Sequence, residues 1–250
     1  MAEKKLVLQV SNVQIVFGGL CAISDASFDL YKGELIGLIG PNGAGKTTMF
    51  NMVSGIYTPT SGQINFWDKD NIVHDINKKD PAELNRLGIA RTFQNIRLFG
   101  NLSVLDNVLI AMHNSRKSTP VDVLFRSPRF RNDEKLMKER VMQLLSFFHI
   151  ENKAGELAKN LPYGEQRKLE IVRAIACKPK LLLLDEPFSA LDYQTRLMVA
   201  DDIWKIIKKE QKTAILVTHD LSEAVSMADR VLILSSRPGR LIKDVPIVFE

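Results

Sequence analysis

Residues 40–48 read Gly-Pro-Asn-Gly-Ala-Gly-Lys-Thr-Thr and satisfy the pattern G-x-x-x-x-G-K-[ST]. Its glycines let backbone N–H groups close around phosphate oxygens, while the lysine meets the β- and γ-phosphates. The pattern carries that meaning only between a strand and a helix, and both flanks comply. Leu35-Ile36-Gly37-Leu38-Ile39 is an apolar run of the kind expected for a strand buried on both faces. Thr47 to Val53 can open a helix whose N-terminal dipole favours an anion. A plain glycine-rich turn is the alternative, and the flanks weigh against it. Lys46 is therefore the candidate phosphate contact, and Thr47, through its hydroxyl, a candidate Mg²⁺ ligand.

Two later strand ends suit the same chemistry. Leu181-Leu182-Leu183-Leu184 closes on Asp185-Glu186, which puts two carboxylates at the carboxyl edge of a buried strand, where α/β folds hold ligands. Asp185 suits Mg²⁺, directly or through water, and Glu186 is placed to polarise or deprotonate an attacking water. Either acid alone could simply cap the next turn. Val217-Thr218-His219-Asp220 ends the following strand, so the His219 imidazole can approach a γ-phosphate. His74, His113 and His149 have no companion ligands and are expected to be surface or satisfied residues. Leu161-Pro162-Tyr163-Gly164-Glu165-Gln166 precedes a segment with helical spacing, whose amino terminus offers free N–H donors to an anion. With no lysine or carboxylate to complete it, that second site fits a nucleotide held by another copy.

The 250 residues, 45% hydrophobic and 25% charged, are ordinary for a folded chain with a sizeable core. No apolar stretch approaches the roughly 20 residues that span a bilayer, and Met1-Ala2-Glu3-Lys4-Lys5 lacks the apolar region of a secretory signal. Cys21 and Cys177 lack metal-type spacing, so neutral thiols are expected rather than a disulfide or zinc site. The net charge of +5 is too modest to imply nucleic acid. The basic stretch holding Arg126, Arg129 and Arg131 lacks aromatic platforms and reads as a solvated, irregular connection.

Residues 6–40 alternate apolar patches with turns, giving strands near Leu6–Val10, Ile15–Phe17 and Ala26–Leu30. With Gln63–Trp67 they predict a small antiparallel sheet. Phe17 stands at a strand end, either core or exposed for stacking on a base. Between about 95 and 165 the periods become helical. Ser103-Val104-Leu105-Asp106 resembles a helix start, and Val104, Leu105, Val108, Leu109 and Met112 share a face. Leu136, Met137, Val141, Leu144, Leu145 and Phe148 form a second stripe. The connection from Pro120 to Arg131 is expected to be a surface loop. From 165 onward helices and strands alternate, which is α/β and mostly parallel.

This set resembles the ATP-binding subunits of ABC transporters, over essentially the full chain. The resemblance implies an α/β P-loop NTPase (RecA-like) core with a small antiparallel β subdomain and an inserted α-helical subdomain. It further implies that residues 1–250 are one ABC ATPase domain, with 1–94 and 166–250 as the nucleotide-binding core and 95–165 as the helical subdomain. Gly40 to Thr48 match the Walker A loop, so Gly40, Asn42, Gly43, Ala44, Gly45, Lys46, Thr47 and Thr48 are expected to hold ATP. Phe17 falls at the adenine-stacking position. Gln94, an unremarkable loop residue on its own, matches the Q-loop glutamine and joins Thr47 and Asp185 as a Mg²⁺ contact. Asp185 and Glu186 match Walker B, Ser189-Ala190-Leu191-Asp192 the D-loop and His219 the switch histidine. Leu161 to Gln166 match the signature, with Tyr163, Gly164 and Glu165 as nucleotide contacts across a dimer. Here Pro162 and Tyr163 replace the usual serine and glycine, which removes a hydroxyl but leaves the later N–H donors.

Gly18-Gly19-Leu20, the segment from Leu87 to Phe99 and Pro162-Tyr163 look like branched-chain amino acid importer ATPases. Phe188 to Asp192, Thr218 to Ala224 and Ser236-Arg237-Pro238-Gly239-Arg240 are more similar to nitrate, sulfonate and taurine importer ATPases, as in a mosaic. The implied partners are a second copy or sister ATPase packed head to tail, membrane permease subunits and, indirectly, a solute-binding protein. Nucleic acid is not among them. The implied location is the cytoplasmic face of the cell membrane, with Ile96, Leu98 and Phe99 either touching the permease or buried. A non-transport ABC ATPase and a non-hydrolysing regulator are the competing classes; the chain is too short for the usual coiled-coil insertion, and Glu186 and His219 favour hydrolysis.

Overall fold

Strands β1 (Leu6–Phe17) and β2 (Leu20–Tyr31) pair antiparallel, and β4 (Ser61–Trp67) and β5 (Val73–Asp75) extend them into a sheet of order β2-β1-β4-β5. The computed structural model describes residues 5–112, 122, 125 and 127–248; His113, Pro120, Arg126 and Glu250, and the start through Lys4, lie outside them. Two segments expected as separate strands are one continuous β1. Register shifts between Val10 and Val13 absorb the break, with Asn12 at φ 48° and its amide donating to Asp25 Oδ1 at 2.7 Å.

A second sheet has the order β10-β9-β3-β8-β7-β6. Its strands are β3 (Leu35–Ile39), β6 (Ile89–Arg91), β7 (Leu181–Asp185), β8 (Thr213–Val217), β9 (Arg230–Leu234) and β10 (Leu241–Pro246). All neighbours run parallel except the β9–β10 pair at one edge. Every residue of β7 and β8 is buried, as continuous apolar runs in a covered parallel sheet should be. Helix α1 (Lys46–Val53) covers one face, packing Met49, Phe50 and Val53 into a core with Leu183, Ile215 and Leu232. On the other face α7 (Leu221–Met227) lies so near that a Cβ on Gly37 would stand 3.2 Å from Ala224 Cβ. The sequence periods missed α2 (Pro81–Leu87), a short helix with a complete capping box between Asp80 and Glu83.

The chain forms two compact units. One comprises 1–94, 179–189 and 203–250 and contains both sheets; the other comprises 95–178 and 190–202. In the second unit α3 (Val104–Ala111), α4 (Pro128–Phe147) and α5 (Tyr163–Ala176) pack on one another. They bury Val104, Val108 and Met112, with Met137, Val141, Leu144, Leu145 and Phe148. The remaining helix, α6 (Tyr193–Lys209), begins in this unit. Three expectations need correction. Helix α5 belongs to the helical unit, so the return to the core falls after 178 rather than at 166. Leu136, expected on the buried stripe, is 54% exposed. Pro128–Arg131 is no loop: Ser127 caps α4 by accepting from the Phe130 N–H at 3.2 Å, and proline suits the first turn, so Arg129 and Arg131 are helical.

Candidate nucleotide site

Beyond β3 the chain turns through residues 40–45 into α1. Gly45 has φ +87°, and a Cβ there would stand 2.4 Å from Ile23 Cδ1, so only glycine lets the loop lie this close to β2. Ala44 is buried, Asn42, Gly43 and Thr47 are exposed, and Thr48 is half-buried. The mostly buried Lys46 donates through Nζ to the carbonyls of Gly40 at 2.7 Å and Pro41 at 3.1 Å. Burial pushes this ammonium below the usual 10.5, while the Glu186 charge acts the other way. A cation within the loop and N–H groups at the start of α1 together make an anion cradle.

The turn after β9 braces that cradle. Gly239 donates to the Ala22 carbonyl and accepts from the Ser24 N–H, both at 2.9 Å, and a Cβ on Gly239 would lie 2.1 Å from the Ala44 oxygen.

The two acids differ as their positions require. Asp185 is 3% exposed and receives Arg91 Nη2 at 3.0 Å. Glu186 sits past the strand end at φ +43°, a region that costs a non-glycine residue about 1–3 kcal/mol, and its N–H bonds the Val217 carbonyl at 2.9 Å. That backbone aims its carboxylate differently from Asp185. Gln94 Nε2 donates to Glu186 Oε2 at 3.2 Å, and His219 Nδ1 stands 3.6 Å from Oε1. Gln94, Glu186 and His219, from three separate segments, thus meet. Among the described residues no three His, Cys, Asp or Glu side chains cluster as a metal cage. A carboxylate buried at a strand end suits Mg²⁺, which takes one or two carboxylates and completes its shell with water and phosphate oxygens.

Phe17 is no core residue: it is 43% exposed and meets Tyr57 edge-on, with centroids 5.2 Å apart. His74 pairs with Asp68 at 2.8 Å, and His149 is exposed. Cys21 and Cys177 are free, partly buried thiols. Sequence reasoning missed Arg91, Asn51 and Ser54, which share one polar cluster with Asp185. The lone arginine of the short β6 was the available signal.

In the helical unit Tyr163, Gly164 and Glu165 form the first turn of α5, behind Pro162, which supplies no side-chain cap. Tyr163 is 42% exposed. The Glu165 carboxylate receives Lys153 Nζ at 2.6 and 2.8 Å, which holds the lysine above its usual 10.5. A Cβ on Gly164 would stand 2.8 Å from Thr195 Cγ2. Ile96 and Leu98 are half-buried, while Phe99 is exposed beneath the Arg173 guanidinium, 5.2 Å from its centroid.

Fold and site together define a phosphate-loop ATPase. The ABC transporter family profile matches residues 23–189. The chain is 34% identical over 229 residues to the high-affinity branched-chain amino acid transport ATP-binding protein LivG of Escherichia coli strain K12, covering 92% of this chain and 88% of that one. It is 31% identical to the sulfate/thiosulfate import ATP-binding protein CysA of Pseudomonas aeruginosa, covering 91% of this chain and 64% of that one. A bacterial ABC transporter cassette solved as a dimer superposes with a TM-score of 0.76 at 26% identity, covering 97% of this chain and all of that one. The chain belongs to the ABC transporter family and is an ATPase of that family. No helix among the described residues is long and apolar enough to cross a membrane.

Proposed function

We propose that this chain is the ATP-hydrolysing subunit of an importer for branched-chain amino acids, working at the cytoplasmic face of the cell membrane beneath permease subunits. A solute-binding protein delivers the cargo to those permeases. The observation that carries the hydrolytic role is the convergence of Gln94 and His219 on Glu186, one residue beyond buried Asp185. The substrate class rests on the likeness to LivG.

In this reading the 40–48 loop wraps the phosphates, Lys46 turns its ammonium from the loop carbonyls to the γ-phosphate, and the exposed face of Phe17 receives adenine. Asp185, Thr47 and Gln94 would hold Mg²⁺, which when bound would neutralise phosphate charge. Glu186 accepts a proton from the attacking water, and His219 steadies the γ-phosphate. A second copy, or a sister ATPase, packs head to tail and offers the N–H groups of Tyr163 and Gly164 to that phosphate, with Glu165 beside them. Contacts made only in the presence of the γ-phosphate favour the closed pair, and cleavage removes them.

The likeness to CysA, with the motifs near 188–192 and 236–240, favours a second reading, uptake of a small oxyanion. Co-purified permeases reconstituted in vesicles decide between the two. Leucine, isoleucine or valine with the matching solute-binding protein should stimulate ATPase activity; stimulation by sulfate, nitrate or a sulfonate instead would overturn the amino-acid assignment.

A further inference from the structure

Arg91 ends β6, and its register partner in β7 is Leu183, two residues before Asp185. The side chain, 14% exposed, reaches along the sheet edge, and its two terminal nitrogens meet three acceptors. Nη2 meets Asp185 Oδ2 at 3.0 Å. Nη1 meets Asn51 Oδ1 at 2.8 Å and Ser54 Oγ at 2.7 Å. The guanidinium carbon Cζ lies 4.6 Å from the centroid of Phe50 and 5.2 Å from that of Phe93. Asn51 belongs to α1, the helix that opens with Lys46, and Ser54 follows its last turn. One planar cation therefore ties the far end of the phosphate-loop helix to the buried acid.

We propose that Arg91 is a positioning residue for the Mg²⁺ site, fixing the Asp185 carboxylate relative to α1 so that metal and phosphate loop share one geometry. The inference rests on the proposed metal role of Asp185. Physical reasons favour arginine. A guanidinium can serve two acceptor sets at fixed angles while stacking on rings, whereas an ammonium is a point charge with no plane. Asp185 is nearly fully buried, and a buried carboxylate stripped of its cation is strongly destabilised, so it would turn or draw in water. Partners behind a metal ligand typically carry 10–100-fold in metal affinity.

The test uses the whole chain and measures binding without turnover. Mn²⁺ affinity of the protein–ADP complex is read by electron paramagnetic resonance for Arg91→Lys, Arg91→Met and the double variant Asn51→Ala/Ser54→Ala. ADP affinity in EDTA and thermal unfolding are measured alongside. Arg91→Met should weaken Mn²⁺ about 10-fold or more, with Arg91→Lys only partly restoring it. The double variant, which keeps the Arg91–Asp185 pair but frees the other prong, should lose less. ADP affinity in EDTA should stay near the native value. Unchanged Mn²⁺ affinity overturns the proposal, as does an equal loss of ADP affinity with and without metal, which would mark a purely structural role. If Arg91→Met does not fold, Arg91→Lys and the double variant decide by the same criteria. Asp185→Asn is the control for the underlying reading: native Mn²⁺ affinity there removes both assignments, whereas loss in Asp185→Asn alone removes only that of Arg91.

Discussion

His219 Nδ1 stands 3.6 Å from Glu186 Oε1, although the two residues come from different strand ends of the parallel sheet. Adjacent strands β7 and β8 bring their ends to one edge: Asp185 is in register with Val217, so Glu186 and the Thr218–His219 segment leave the sheet next to each other. Glu186→Gln preserves shape and removes basicity. Phosphate release should fall by about 10²–10⁴ while ATP still binds, because a positioned base is typically worth that factor. Native turnover in a phosphate-release assay would take the base role from Glu186.

Lys46→Ala removes a charge-assisted contact worth about 1.5–3 kcal/mol, so nucleotide affinity should drop by roughly 10–100-fold in a calorimetric titration. Native affinity would contradict the cradle.

The lowered Lys46 pKa sets a pH dependence with two opposite signs. Between its folded value and 10.5 the unfolded chain holds this proton more tightly, so the residue's contribution to stability rises with pH through that window. Nucleotide affinity needs the ammonium and should fall there. Native protein and Lys46→Met, titrated with a non-cleavable ATP analogue from neutrality toward 10.5, should differ in slope; parallel curves would exclude Lys46 as the source.

Gly239→Ala puts a methyl carbon where the Ala44 oxygen is 2.1 Å away and Ile23 Cδ1 2.9 Å. Backbone must shift, at a cost of about 1–3 kcal/mol typical of overpacking. Chemical denaturation should show that loss together with weaker ADP binding, since Ala44 belongs to the cradle. Lowered stability with unaltered binding would show that the brace does not shape the loop.

Gly164→Asp should abolish nucleotide-driven dimerisation and hydrolysis while single chains still bind ATP, because its carboxylate would face the partner's γ-phosphate. The new Cβ also meets the Thr195 methyl carbon at 2.8 Å. Thr195→Ser removes that methyl and keeps the hydroxyl. Sedimentation with a non-cleavable nucleotide should find Gly164→Asp still monomeric in this background. Dimerisation restored there would assign the defect to crowding rather than charge.

The glycine loop, the acidic strand end and His219 were legible because each needs particular residue types at fixed local spacing. Their assembly follows from parallel topology, in which successive strand ends share one edge. Arg91 escaped because its meaning is relational: nothing in residues 89–91 says that Asp185, Asn51 and Ser54 will surround it. Helix α2 was missed because seven residues are too few to show an amphipathic period, although Asp80, Pro81 and Glu83 spelled out its start. Leu136 misled because it precedes Met137 on a real stripe but turns outward. The β1 bulge hid a long strand, since left-handed Asn12 reads locally as a turn.

Strand β3, which launches the phosphate loop, finds its neighbours only in β8 and β9, near the far end of the polypeptide. During synthesis the loop's sequence therefore emerges long before anything can hold it in shape. A fragment ending at 94 would present β3 with two bare edges, inviting aggregation instead of nucleotide capture. Splitting this ATPase for use as a reporter would consequently succeed only if the second piece carries residues 213–240 and arrives in time to clamp β3 from both sides.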